Sequence, residues 1–121
     1  MKYSKEHQWL RIDENQITMG ITDFAQENLN DILFVELPEK GSIVPANHII
    51  ISIESTKTVS ELTFPLDAKI IDVNPLLDDQ PELVNSDPCG KGWMIKMEVD
   101  LALLNEMEFL TEELYKDFCT A

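Results

Sequence analysis

The chain has few basic residues, and this shortage excludes several classes of function. Its 121 residues include 9 lysines and arginines against 23 aspartates and glutamates, which gives a formal net charge of −14. A nucleic-acid-binding protein needs a basic surface to neutralise phosphates, and an anionic membrane would repel this acidic one. The acidity serves solubility alone or favours partners with basic docking surfaces. We therefore expect neither nucleic acid nor a membrane as a partner.

Cysteine and histidine are also scarce, with two of each. Cys89 and Cys119 form no CxxC pair, and neither His7 nor His48 belongs to a metal-ligand pattern. We expect no metal site, and we expect both thiols to be reduced packing residues in a cytoplasmic compartment. The four glycines are scattered, and no GxSxG, HExxH or glycine-rich phosphate loop indicates catalysis.

Long hydrophobic runs are missing as well. No apolar run approaches the roughly 20 residues of a transmembrane helix, and the N-terminus lacks the apolar region of a secretory signal. The composition, 44% hydrophobic and 26% charged, is typical of a globular protein. A chain of this length suits one modest core, so we expect a single domain spanning residues 1–121.

The residue pattern predicts a mainly β protein with short helices. Strands are predicted at 16–22, 31–38, 68–75 and 93–99. Thr22 is a candidate N-cap for a short helix over 23–30, since an acid follows it in the first turn. Residues 76–92 are rich in Asp, Asn, Pro and Gly and predict a loop with one helical turn. The tail has a helical period and divides into two helices, the second beginning at Thr111.

The segment 48–65 favours strand throughout but is too long for a single strand. At about 3.3 Å per residue it would extend roughly 60 Å, whereas a compact chain of this size has a radius of gyration of roughly 14 Å. Its apolar residues lie at odd numbers from 49 to 53 and at even numbers from 62 to 66. Opposed residues of a hairpin share a face, so pairing Ile53 with Leu62 predicts a turn centred on Lys57 and Thr58.

Lys57 is an unusual residue for such a tip. Tight hairpin turns favour Asn-Gly or Asp-Gly, whereas the segment STKT at 55–58 contains β-branched residues that resist positive φ. The lysine could be an ordinary solvated residue, carry a covalent cofactor, contact an acidic partner or form a Schiff base. Neighbouring hydroxyls and the carboxylates of Glu54 and Glu61 favour the charged amine, which argues against a Schiff base. A non-enzymatic carrier is therefore the better interpretation.

Several long blocks of the sequence resemble the family of glycine cleavage system H proteins, the lipoyl carriers of that system. The blocks are KYSKEHQWLR near the start, GITDFAQENLNDILFVELPEKG at 20–41, ESTKTVSEL at 54–62, ELVNSDPCGKGWMIKM at 82–97 and LYKDFC near the end. They occur in the order and at the spacing of the family. The resemblance implies a lipoyl/biotinyl-type barrel-sandwich hybrid of two small sheets, with helices at the C-terminal end.

The same resemblance implies a carrier rather than an enzyme, with lipoate attached to Lys57 through an amide. In the family the lipoyl arm accepts an aminomethyl group at glycine decarboxylase and presents it to aminomethyltransferase. Dihydrolipoamide dehydrogenase then reoxidises the arm, and a lipoate ligase or lipoyltransferase attaches it in the first place. We expect a monomer, because a carrier that visits several enzymes is usually monomeric.

The sequence departs from the family at the cleft that shelters the aminomethyl group. The family commonly has S-H-E-W near its start, whereas this chain has E-H-Q-W. Gln8 therefore replaces a glutamate, and a neutral amide offers no charge to an ammonium group. Glu6 could restore that charge, because residues two apart on a strand share a face. Glu61 matches the second acidic position of the cleft, and Glu54 and Glu61 also flank the tip as candidate recognition residues.

Four functions remain open, led by the lipoyl carrier of glycine cleavage. Gln8 favours a second function, a related carrier that serves other lipoate-dependent systems without glycine oxidation. The third is an unmodified acidic interaction domain, in which Lys57 stays a free amine. The fourth, an enzyme that uses Lys57 directly, is the least supported because the residues around the lysine favour its charged form.

Overall fold

The computed structural model of the chain describes residues 1–120. Its strands are β1 (Lys2–Tyr3), β2 (Gln8–Asp13), β3 (Gln16–Ile21), β4 (Ile32–Glu36), β5 (Ile43–Val44), β6 (Ile49–Ser55), β7 (Val59–Thr63), β8 (Ala68–Val73) and β9 (Ile95–Glu98). Its helices are α1 (Asp23–Leu29), α2 (Leu76–Asp79), α3 (Leu83–Ser86), α4 (Leu101–Asn105) and α5 (Glu112–Thr120).

The strands form two antiparallel sheets. One has six strands in the order β1-β2-β3-β9-β8-β5, and the other has three in the order β4-β6-β7. Both sheets contribute to one hydrophobic cluster, with Leu10 and Ile17 from the larger sheet and Val35 and Ile51 from the smaller. The predicted class, mainly β with two small sheets and short helices, is confirmed.

Most of the predicted elements are confirmed, and their ends follow from local chemistry. The predicted strands correspond to β3, β4, β8 and β9, and β4 and β8 end two residues before Pro38 and Pro75. The Thr22 side chain accepts a hydrogen bond from the N–H of Ala25 and so caps α1 (3.3 Å). The loop 76–92 contains two helical turns, α2 and α3, where one was predicted. The strands β1, β2 and β5 were not among the predicted elements, although residues 6–8 were expected to lie on a strand.

The C-terminal helices begin at side-chain caps. The Asp100 carboxylate accepts a hydrogen bond from the N–H of Leu103 (3.1 Å), and the Thr111 hydroxyl accepts one from the N–H of Leu114 (3.3 Å). Both bonds satisfy amide groups that the first turn of a helix leaves unpaired. The predicted division of the tail into two helices is confirmed. Within residues 1–120, no helix is long and apolar enough to cross a membrane.

The hairpin β6–β7 is confirmed, but its predicted register is wrong. Ile53 pairs with Ser60, and Leu62 pairs with Ile51. The two registers differ by two residues, so each side chain lies on the same face of the sheet in either register. The alternation of apolar residues therefore cannot distinguish them. The prediction assumed an apolar residue at each inward position, whereas Ser60 occupies one of them. As a result the turn is centred between Thr56 and Lys57, one residue earlier than predicted.

Trp9 is fully buried at the start of β2, and its ring depends on a glycine in the next strand. The indole Nε1 donates a hydrogen bond to the carbonyl of Pro88 (2.9 Å), and Trp9 pairs directly with Gly20 of β3. A Cβ atom added at Gly20 would lie 2.8 Å from that Nε1 and 2.9 Å from two ring carbons. Glycine is therefore required here by close packing.

We expect Gly20→Ala to lower the free energy of unfolding by about 1–3 kcal/mol, because the indole has to move against a close-packed core. Urea denaturation followed by tryptophan fluorescence would measure the change. Thr18→Ser, on the same strand but only half-buried, is the control, with an expected change within about 0.5 kcal/mol. Equal midpoints for the two variants would contradict the packing explanation.

Candidate functional site

The tip of the β6–β7 hairpin is closed by the side chain of Ser55. The N–H of Ser55 donates to the carbonyl of Thr58 (2.9 Å). The Ser55 hydroxyl oxygen accepts hydrogen bonds from the N–H groups of Lys57 and Thr58, both at 3.2 Å. No residue of the tip has a positive φ. The serine therefore supplies the hydrogen-bond acceptor for the N–H groups of the turn. The turn keeps a conformation that β-branched threonines tolerate, so no Asn-Gly pair is needed.

A second set of hydrogen bonds anchors the tip to the connection between α1 and β4. The N–H of Thr56 donates to the carbonyl of Asp31 (3.0 Å). That connection is held in turn by Asn85 of α3, whose Nδ2 donates to the carbonyl of Asn30 (2.8 Å). The Asn85 Oδ1 accepts from the N–H of Ile32 (2.9 Å). The position of the tip is thus fixed relative to α1.

Lys57 is exposed, and its side chain points back towards the end of α1. Its Nζ donates a hydrogen bond to the carbonyl of Asn28 (3.2 Å), which lies in the last turn of that helix. The last turn of α1 contains no basic residue of its own. The ammonium group therefore supplies the positive charge that a helix C-terminus favours.

Asn28 also lines a cavity of about 190 Å³ beside α1 and the hairpin. Its walls are mostly apolar, and its polar members are Glu6, His7, Asn28 and Ser60. The apolar members are Ile21, Phe24, Ala25, Leu29, Ile53 and Leu62. A larger groove of about 480 Å³ surrounds Leu66–Lys69 and Glu98–Asp100, away from the tip. We assign the site to the smaller cavity, since Lys57 reaches its rim.

The predicted acidic residues divide between two faces of the hairpin. Glu6 lines the cavity, and its carboxylate accepts a hydrogen bond from the Thr63 hydroxyl (3.4 Å). Glu54 and Glu61 are exposed on the outer face, where they pair with Val59 and Ser52. The structure therefore places Glu6 in the cavity wall and Lys57 at its rim, with Glu54 and Glu61 on the opposite side of the sheet.

Gln8 is buried next to the cavity and does not line it. Its Nε2 donates to the carbonyl of Thr63 (2.9 Å), and its Oε1 accepts from the Ser4 hydroxyl (3.1 Å). The premise that Glu6 and Gln8 share a strand face is wrong. A turn precedes β2, in which the N–H of His7 donates to the carbonyl of Ser4 (3.1 Å). Strand alternation therefore begins only at Gln8.

Several residues of the site carried no role in the sequence-based prediction. Ser55 closes the tip, Asn85 holds the anchoring connection, and His7 and Ser60 line the cavity. A serine inside an apolar strand was the one available signal for Ser60. Nothing in the sequence around Asn85 indicates that its amide bonds a connection more than 50 residues earlier, because that contact exists only in the folded chain.

The fold and the site together define a class of protein. Two small antiparallel sheets present one exposed lysine at a hairpin tip, beside a mostly apolar cavity. Such an arrangement suits a carrier domain, in which a group attached to the lysine can rest in the cavity between visits to partner enzymes.

Comparison with known proteins identifies the family. The family model of the glycine cleavage H-protein matches residues 1–121. The glycine cleavage system H protein of Thermotoga maritima is 44% identical, covering 98% of this chain and 94% of the relative. That of Bacillus cytotoxicus is 49% identical, covering 97% and 91%. A crystal structure of a glycine cleavage system H protein from Mycobacterium marinum matches with a TM-score of 0.81 and 34% identity, covering 96% and 93%.

The chain therefore belongs to the glycine cleavage H-protein family. Members of this family are lipoyl carriers of the glycine cleavage system and not catalysts. They carry lipoate covalently on a lysine.

We expect Ser55→Ala to loosen the tip, because the N–H groups of Lys57 and Thr58 lose their acceptor. The free energy of unfolding should fall by about 1–2 kcal/mol, and exchange of these two amide hydrogens should accelerate. Thr56→Ala is the matched control, since it removes an exposed hydroxyl from the same turn and keeps the backbone bond to Asp31. Hydrogen exchange measured by NMR that is equal in both variants would contradict a closing role for Ser55.

Proposed function

We propose that Lys57 is the residue on which this carrier bears its lipoyl group, through an amide to Nζ. The observation that supports this assignment is the position of Nζ. It lies 3.2 Å from the carbonyl of Asn28, a residue of the cavity wall, while the lysine itself is exposed at the hairpin tip. A ligase can reach this amine, and an arm attached to it starts at the rim of the cavity.

The residues present fit a lipoyl group. Amide formation removes the charge of Lys57 and adds a hydrocarbon chain that ends in a dithiolane. The apolar wall formed by Phe24, Leu29, Ile53 and Leu62 can cover such a chain, and each buried methylene group contributes about 0.8 kcal/mol. When attached, the lipoyl group supplies the disulfide chemistry through which the glycine cleavage system transfers an aminomethyl group.

The polar residues in and beside the cavity have separate tasks in this proposal. Glu6 places a carboxylate in the wall, where it can attract the amine of the carried group. Gln8 holds the start of β2 against the hairpin through its bonds to Thr63 and Ser4. The position of Glu6 supports glycine cleavage over the related carrier without glycine oxidation, since that alternative depended on the missing charge at Gln8.

The partners are enzymes of the glycine cleavage system, and we propose three by name. They are glycine decarboxylase, aminomethyltransferase and dihydrolipoamide dehydrogenase, with a lipoate ligase or lipoyltransferase for attachment. A tethered group meets each of them at a raised effective concentration. Glu54 and Glu61 lie on the outer face next to the tip, where they offer carboxylates to basic enzyme surfaces. We propose that residues 1–121 act as a single carrier domain, monomeric and cytoplasmic.

Intact mass spectrometry would test the assignment of Lys57. We expect wild type to gain one lipoyl group on incubation with a lipoate ligase, lipoate and ATP. Lys57→Arg, which keeps the charge and removes the nucleophilic amine, should gain none. Lys69→Arg is the control and should be modified like wild type. No addition to folded wild type would favour the unmodified acidic interaction domain.

The two groups of carboxylates should have separable effects. We expect the double variant Glu54→Gln/Glu61→Gln to slow lipoyl attachment by roughly two- to fivefold at low salt, because exposed charges mainly change association rates. Glu6→Gln should leave attachment unchanged and shorten retention of the aminomethyl group on the loaded carrier by a similar factor. The rate of lipoyl attachment and the rate of release of the aminomethyl group would be measured on wild type and both variants. Slower attachment in Glu6→Gln, or faster release in the double variant alone, would contradict these roles.

A further inference from the structure

His7 has an unusual backbone conformation at the cavity wall. Its φ is 65°, in the left-handed region that few residues other than glycine adopt. Its N–H donates to the carbonyl of Ser4 (3.1 Å), and its own carbonyl accepts from the N–H of Thr22 (3.0 Å). The strained conformation is therefore held by hydrogen bonds on both sides of the residue, and strain of this kind is frequent at functional sites.

The imidazole of His7 is enclosed by three aromatic rings. Ring centroids lie at 4.6 Å for Phe24 of α1, 5.7 Å for Tyr115 and 5.6 Å for Phe118, the last two on α5. The Nδ1 atom lies 2.8 Å from the Tyr115 hydroxyl. No described residue bonds the other ring nitrogen, Nε2. His7 therefore keeps one nitrogen available in a residue that lines the cavity.

A chain of three side chains favours one position for the imidazole proton. The Thr22 oxygen already accepts a hydrogen bond from the N–H of Ala25, and it lies 2.6 Å from the Tyr115 hydroxyl. Because Thr22 is buried, its hydroxyl hydrogen needs an acceptor within the protein, and the Tyr115 oxygen lies in reach. Tyr115 in turn donates its hydrogen to Nδ1 of His7. This direction pairs the hydroxyl of the buried Thr22, and the one donor that it leaves unpaired is Nε2–H of a neutral imidazole in the cavity wall, where a bound group can accept it.

We propose that Tyr115 is a positioning residue that fixes His7 as the neutral Nε2–H tautomer, so that the cavity wall presents a hydrogen-bond donor without a positive charge. The inference rests on the proposed function, in which a group carried on Lys57 lodges in this cavity. An imidazolium ion would repel a cationic amine next to Glu6, whereas a neutral imidazole adds no charge and can donate its Nε2–H to a sulfur atom of the arm.

The other ionisable groups around this chain are few. They are Glu6 in the cavity wall, Asp23 on α1, and Tyr3 and Cys119 next to Tyr115. The Asp23 carboxylate is bonded to Gln26 (2.8 Å) and does not bond the imidazole. Burial lowers the pKa of His7, which favours the same neutral state. The arrangement links the C-terminal helix to the cavity, since Tyr115 belongs to α5.

NMR of the unmodified protein tests the proton assignment directly. Long-range ¹H–¹⁵N spectra report the tautomer of each imidazole, and the exposed His48 serves as an internal reference, because the chain has two histidines. We expect His7 of wild type to be almost entirely the Nε2–H tautomer at pH 8. A wild-type His7 that is mainly the Nδ1–H tautomer would overturn the inference without any variant.

Tyr115→Phe should change the tautomer ratio of His7 by roughly fivefold or more, since one hydrogen bond to Nδ1 is lost. The pKa of His7 should rise, because that bond stabilises the neutral imidazole. Tyr3→Phe is the matched control. Its ring stacks on Tyr115 at 4.7 Å, and its hydroxyl donates to the Met1 sulfur (3.4 Å) and not to His7, so His7 should not change. Unchanged His7 spectra in Tyr115→Phe would overturn the inference.

Retention of the carried group tests whether the positioned histidine serves the arm. On the lipoylated, aminomethyl-loaded protein, Tyr115→Phe should release the group several times faster than Tyr3→Phe, and most clearly below pH 7. Altered His7 spectra with unchanged retention would overturn the role in the cavity. A failure of the proposed function would be seen in a different experiment, the mass measurement. It would appear there as lipoyl addition to Lys57→Arg or as no addition to wild type.

Discussion

Ile53 of β6 faces Ser60 of β7 across the hairpin, and the geometry of the site depends on this pairing. Opposed side chains in an antiparallel pair point to the same side, and here both point inward. Ile53 is buried and large, whereas the small side chain of Ser60 leaves space that the cavity occupies. The same register ends the hairpin at Thr56 and Lys57. The cavity and the exposed lysine are thus two consequences of a single register.

Hydrogen bonds rather than ion pairs hold the tip in place. Ser55 closes the turn, and Thr56 bonds to Asp31, so the backbone around Lys57 is ordered while its amine stays accessible. The ion pairs found within residues 1–120, Lys40–Asp72 and Lys116–Glu112, are both exposed and far from the tip in sequence. Pairs of this kind contribute little to stability. Most carboxylates therefore remain available for basic partner surfaces.

The charge of the cavity depends on the turn before β2. His7 adopts a left-handed conformation, which interrupts strand alternation and lets Glu6 line the cavity while Gln8 turns into the protein. The carboxylate of the cavity wall thus comes from Glu6 and not from position 8. The same turn brings the imidazole of His7 to Tyr115, so that one polar chain joins this turn, the N-cap of α1 and the C-terminal helix.

Local patterns in the sequence determined the class of fold, the strand segments and the helix starts at Thr22 and Thr111, because alternation and capping act between near neighbours. They also placed Lys57 at the end of a hairpin. They could not choose between two registers that differ by two residues, since both bury the same face. Nor could they bring His7 to Tyr115 or Asn85 to Asn30. Those contacts join residues 108 and 55 positions apart, and only the packing of the two sheets and their helices brings such residues together.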